Sequence, residues 1–130
     1  MAKTGAYFKI KGMSPQLLVT DLTRSIEFYT LKLGFEIEFR YEDFYCGITK
    51  AGHSIHLKSV VHTIEERTYR IENEHTDIIF SVEGIDALYA DINNISIRVI
   101  QSLRKMPYGR EFYITDPDGY IIAFLEENHN

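Results

Sequence analysis

The chain has no tryptophan, a single cysteine, three prolines and a deficit of basic charge among its 130 residues, and nowhere a long uninterrupted apolar run. Each shortage excludes something. A membrane-spanning helix needs roughly 18 or more consecutive apolar residues, so no segment reads as one. One cysteine cannot form an intramolecular disulfide, and Cys46, in the alternating text DFYCGIT, reads as a small buried side chain. With 14 Lys and Arg against 19 Asp and Glu, the formal net charge is −5, which disfavours nucleic-acid phosphates and tilts toward neutral or cationic ligands. The opening MAKTGAYFKIKGM shows no apolar stretch of signal-peptide length before its lysines recur, so a cytoplasmic protein with no membrane partner is expected.

What remains is an ordinary globular composition, 45% hydrophobic and 25% charged, of a length that suits one domain with a sizeable core. Its aromatic character rests on nine tyrosines and eight phenylalanines. From Asp21, DLTRSIEFYTLKLGF carries helix punctuation: Asp21 as N-cap, Leu22, Ile26, Tyr29 and Leu33 at helical spacing, and Gly34 as a stop. Strand text follows. Phe35, Ile37 and Phe39 alternate with charged residues, the Glu42-Asp43 pair turns the chain into FYCGIT, and Lys50-Ala51-Gly52 turns it again into HSIHLK.

The second half repeats that order. TDIIFSV reads as a strand, GIDALYADI as a short helix, and ISIRVI, EFYIT and YIIAFLE as three strands. Strand, helix and three strands therefore occur twice, at roughly sixty residues per module. The fold class expected is α+β: one domain over 1–130, with module one at about 12–61, module two at about 77–127 and a charged connection, loop or short helix, at about 62–76.

Strand parity indicates which side chains share a face. In TDPDGY, Pro117 suits the second position of a type I turn and Gly119 the left-handed residue after it, which sets Asp116 against Tyr120, Ile114 against Ile122, Tyr113 against Ala123 and Phe112 against Phe124. Phe112, Ile114, Ile122 and Phe124 then form an apolar face for helices, with Glu111, Tyr113, Ala123 and Leu125 on the other. In module one, a two-residue turn at Ala51-Gly52 sets Gly47 against His56 and Tyr45 against Lys58. A two-residue turn at Glu42-Asp43 would add Arg40 and Glu38 to the His56 side. The predicted inner wall is thus Glu38, Arg40, Tyr45, His56 and Lys58 from one module and Arg98, Glu111 and Tyr113 from the other. A slip of one residue would exchange the faces.

SPQLLVTDLTRSIEFYTLKLGF, GITKAGHSIHLK and YGREFYITDPDGYIIAFLEE together resemble the vicinal oxygen chelate superfamily, which includes glyoxalase I, extradiol dioxygenases, fosfomycin-resistance enzymes and bleomycin-resistance proteins. The resemblance covers about residues 14–127. It implies two βαβββ modules forming a curled sheet around a cavity, with helices outside. Metal-dependent members take one ligand from the first and one from the last strand of each module, usually His and Glu. The matching positions are Ser14, His56, Asp77 and Ala123, of which only His56 and Asp77 bind divalent ions well, short of the three or four ligands normally needed. His53 and His56 lie three apart on a strand and face opposite ways, so HSIH is no ligand pair. His62, His75 and His129 have no ligand-spaced neighbours.

The resemblance is nearest to the bleomycin-resistance branch, whose members lack the metal ligands and sequester a cationic, planar glycopeptide antibiotic in two crevices of a homodimer without altering it. The leading expectation is accordingly a non-catalytic small-molecule binding protein, homodimeric and needing no cofactor. Tyr41, Phe44, Tyr45, Tyr108 and Tyr113 are available to stack on planar rings, and Glu38 and Glu111 to offset positive charge. The alternative is a metal-dependent glyoxalase-like lyase, isomerase or transferase using His56 and Asp77 with an unusual third ligand. A regulatory module that has kept the scaffold and lost the pocket is a third reading.

Overall fold

The computed structural model of the chain describes residues 5–63 and 67–129. Strand β1 (Gln16–Val19) leads to Asp21, whose extended backbone and side chain, accepting from the Arg24 N–H at 3.1 Å, start helix α1 (Leu22–Glu27). The helix continues as one π-helical turn, Phe28–Lys32, and three antiparallel strands follow: β2 (Glu36–Tyr41), β3 (Tyr45–Lys50) and β4 (His53–Ser59). After a short helix α2 (Arg67–Glu72), the plan recurs as β5 (Ile78–Ser81), α3 (Ile85–Asn93), β6 (Val99–Met106), β7 (Gly109–Thr115) and β8 (Ile121–Glu127).

The strands form two mixed sheets of four, ordered β1-β4-β3-β2 and β5-β8-β7-β6, in which β1/β4 and β5/β8 are parallel and the rest antiparallel. The architecture is the α+β arrangement of two βαβββ modules read from the sequence. Among the described residues no helix is long and apolar enough to cross a membrane. The connection contains α2 at its C-terminal end; residues 64–66 of that connection lie outside the described residues.

Two registers fall where strand parity puts them. β7 and β8 pair Tyr113 with Ala123 and Phe112 with Phe124, while β3 and β4 pair Gly47 with His56 and Tyr45 with Lys58. The β2/β3 register differs. Its loop holds three residues, not two: Tyr41 pairs with Tyr45, the Phe44 N–H bonds the Tyr41 carbonyl, and Glu42 takes φ 46°. That single extra residue moves Arg40 opposite Cys46, on the core side, where its guanidinium bonds the Glu42 carbonyl and Asp43. Arg40 is therefore not on the His56 face. A bulge between Ile37 and Phe39 then leaves Glu38 as the unpaired residue and brings Glu36 opposite Thr49. β6 likewise begins later than expected, at Val99 after Ser96 has turned the chain at φ 57°, and runs on through QSLRKM. Irregularities between Val99 and Gln101 and between Gln101 and Arg104 break its period of two.

One apolar cluster joins both modules: Leu17, Val19, Ile26 and Tyr29 from the first pack in the same core as Ile85, Phe112, Ile122 and Phe124 from the second. The polar clamp within it comes from the turn before β8. Asp116 accepts from the Tyr29 hydroxyl at 2.7 Å and from the Asp118 and Tyr120 N–H groups, each at 2.9 Å. Asp118 accepts from the Thr20 N–H at 3.0 Å and the Thr20 and Ser25 hydroxyls, and the Tyr120 hydroxyl bonds both the N–H and the carbonyl of Leu18. Burial pushes the Tyr29 phenol well up, the Asp116 carboxylate adding to it, and burial likewise raises Asp116 against the hydrogen bonds it accepts. Removing the Tyr29 hydroxyl would leave a buried carboxylate oxygen without its donor. Tyr29→Phe is expected to cost about 1–3 kcal/mol in urea unfolding at pH 7; a loss under a few tenths would show that the clamp is dispensable.

Candidate ligand-binding faces

The face of the first sheet away from the core carries Gln16, Glu36, Phe39, Tyr41, Tyr45, Thr49, His56 and Lys58, as the cross-strand pairs require. Its centre is aromatic. Phe39 lies parallel to Tyr45 with centroids 6.1 Å apart, and both rings meet the His56 imidazole edge-on, at 5.2 and 5.5 Å. His56 Nδ1 is 2.9 Å from the Tyr45 hydroxyl, which also accepts from Gln16 Nε2 at 3.0 Å. Gly47 makes this cluster feasible: a Cβ there would stand 2.2 Å from the Phe39 ring, so the ring occupies the space a side chain would take. Beside the cluster, Tyr41 and Phe44 stack at 6.2 Å and remain more than half exposed.

The corresponding face of the second sheet is covered around Ala123, although Ile79, its partner on β5, stays 60% exposed. Tyr113, Ile121 and Ala123 are buried beneath Ile71 of α2 and Ile100. The methyl of Ala123 leaves room for that packing. α2 is tied down by the ion pair from Arg70 to Asp77, by the Arg70 guanidinium over the Tyr120 ring at 5.6 Å and, through the residues that follow it, by Arg104 to Glu74 at 2.9 Å.

Arg104 was not singled out in the sequence. It occupies the place assigned to Arg98, which precedes β6 and is exposed. The signal for it is the two-residue turn Pro107-Tyr108, across which Met106 faces Gly109 and Arg104 faces Glu111. Arg104 donates to Glu111 through Nε at 2.9 Å and through Nη2, and lies 5.4 Å from the Tyr113 ring. Tyr108 and Tyr113 also donate to Glu111. Burial would raise the Glu111 pKa, but the hydrogen bonds from Tyr108, Arg104 and Tyr113 outweigh it and hold the carboxyl below its ordinary range. Burial, then the Glu111 carboxylate, pushes the Tyr113 phenol up to about 12. Glu111 is thus the acceptor of an internal network. Its lowered pKa adds stability above the ordinary carboxylate value, about 4.3, that is lost as pH falls through the folded-state value. Glu111→Gln should cost about 2–4 kcal/mol at pH 7 and progressively less as pH falls below the ordinary carboxylate range, read from denaturant unfolding across pH; a loss independent of pH would mean that shape, not charge, matters there.

The four chelating stations do not suit a resident divalent ion. The Ser14 hydroxyl pairs with Ser54, His56 with Tyr45, and Asp77 is neutralised by Arg70 while accepting the Ile121 N–H at 2.8 Å. Ala123 offers only a methyl. Among the described residues no three His, Cys, Asp or Glu side chains are grouped to hold a metal, where three or four ligands are normal.

Several solved structures share this architecture at identities that speak for the fold alone. An antibiotic-binding protein, TnmS3, from Streptomyces sp. CB03234 superposes with a TM-score of 0.72 at 18% identity, covering 94% of this chain and all of that one. The bleomycin-binding protein from bleomycin-producing Streptomyces verticillus, complexed with copper(II)-bleomycin, gives 0.70 at 22% identity, over 94% of this chain and all of the other. A glyoxalase family protein from Bacillus anthracis gives 0.74 at 19% identity, with coverages of 95% and 100%. No curated protein matches the chain. Residues 13–124 match the family to which these motifs pointed, and the chain belongs to the glyoxalase/bleomycin resistance protein/dioxygenase superfamily.

Proposed function

We propose that this protein binds a planar, cationic small molecule and sequesters it without reaction. The observation that carries this reading is the open aromatic face of the first sheet, with Phe39, Tyr45 and His56 interlocked and the Tyr41–Phe44 pair beside them. Such a surface offers flat, polarisable contact to a planar ring, and aromatic faces attract cations. Glu36, on that face, and Glu38, in the bulge, are exposed carboxylates next to it, and the chain as a whole carries −5. Tyr45, His56 and Lys58 are the contacts proposed from this module, with Glu38 at the rim.

The buried Glu111 and Tyr113, with the partly exposed Arg104, form a preorganised wall in the second module rather than free ligand groups. A homodimer, in which the open face of one copy meets the second module of another, would narrow the first face into a crevice and cover the exposed edge strand β2. The similarity to proteins described as binding an antibiotic or bleomycin supports this ligand class. We place the protein in the cytoplasm on the same reading.

Calorimetry with copper-loaded bleomycin and a panel of planar cations tests the proposal. A saturable site is expected for at least one of them, weakened about tenfold by Phe39→Ala or Tyr45→Ala, in line with the stabilisation an aromatic contact gives. No binding across the panel, or binding indifferent to both substitutions, would remove the assignment.

A further inference from the structure

We infer that the protein has a second site, on the helix side of the sheets, for an amphipathic monoanion: a carboxylate carrying an extended apolar body. A groove of about 510 Å³ opens between the end of the π-helical turn and α3, within the size range of small-molecule sites. Its floor is the aromatic run Phe35, Phe80 and Phe124, whose rings follow one another at 6.0 and 5.6 Å. Leu88 and Ile92 of α3 line one wall. At the lip, Leu31 is 80% and Ile95 37% exposed, apolar surface that a bound chain would cover.

Charge sets the sign of the occupant. Lys32 and Lys50 line the groove, and their ammonium groups donate to the backbone carbonyls of Ser96, at 3.1 Å, and Leu33, at 2.7 Å. Neither belongs to an ion pair with a carboxylate among the described residues. An ammonium has three N–H donors, and each of these uses one on a carbonyl. Two lysines therefore hold unspent donors and positive charge at the mouth of an apolar groove, against the single carboxylate of Asp91, on a chain that is otherwise acidic. A carboxylate at the lip would meet the positive charge of these lysines while its tail covers the phenylalanine floor. A neutral apolar molecule would leave those groups unengaged, and a cation would be repelled. The inner faces lie on the opposite side of the sheets, so the two sites are independent.

The absence of tryptophan gives a clean reporter: Leu31→Trp places one indole at the exposed lip. Sodium decanoate below its micelle concentration should shift the emission of this variant to the blue saturably. 1-Decanol should bind at least tenfold more weakly, and decyltrimethylammonium should give no saturable shift. Adding Lys32→Gln and Lys50→Gln should raise the decanoate Kd about tenfold, and Asp91→Asn should lower it. In the unsubstituted protein, decanoate should raise the melting temperature and leave the response to copper-loaded bleomycin unchanged. Equal binding of decanoate and decanol, stronger binding of the cation, or no saturable response to decanoate overturns the inference. So does an indole emission that is already blue and moves with protein concentration, because a second copy would then occupy the groove.

Discussion

The molecule depends on two buried carboxylates, Asp116 and Asp118, in the turn that precedes β8. A carboxylate taken out of water is costly unless its oxygens are fully hydrogen-bonded. Here the donors come from 87 and 93 residues away, the hydroxyls of Tyr29 and Ser25, and from Thr20 at the end of β1. Together they tie the turn to α1 and to the end of β1. Since β1 pairs with β4 and β8 with β5, fixing that turn fixes how the two sheets stand relative to the shared core.

The two motif phrases, D-L-x-x-S-x-x-F-Y and D-P-D-G-Y, are thus complementary halves of one contact. Ser25 and Tyr29 of the first meet Asp118 and Asp116 of the second, and the last tyrosine, Tyr120, reaches back to Leu18. A signature of this kind reports architecture. It specifies nothing about what the inner faces hold, because Ser25, Tyr29, Asp116, Asp118 and Tyr120 are turned to the junction between modules and Asp21 caps α1.

The same distinction explains what was legible in the sequence. Registers pinned by a strong turn could be read: Pro117-Asp118-Gly119 fixes β7 against β8, and Ala51-Gly52 fixes β3 against β4. The loop at 42–44 carries no such signal. Glu42-Asp43 passes for a two-residue turn, and Phe44 looks like strand text until the backbone shows it as the third loop residue. The face of β2 consequently inverted, moving Arg40 to the core side and putting Phe39 and Tyr41 beside His56. Arg104 escaped for a related reason. β6 is irregular at two points, so alternation in QSLRKM is not visible, although the Pro107-Tyr108 turn alone places Arg104 against Glu111. The helix α2 over Ala123 could not be foreseen from local pattern, because its docking rests on Ile71, Arg70 and Glu74 finding partners in the second module.

Duplicated modules need not keep duplicated uses. Gln16 stands against His56 in the first sheet where Ile79 stands against Ala123 in the second. The imidazole keeps the first face polar and open, ringed by aromatics, whereas the methyl admits Ile71, which covers part of the second. An enzyme that gathers a metal from both sheets needs both faces open and three or four donors converging. Here the shared apolar core and the Asp116–Asp118 clamp join the modules without any such donors. One face is given largely to internal packing while the other presents flat aromatic surface.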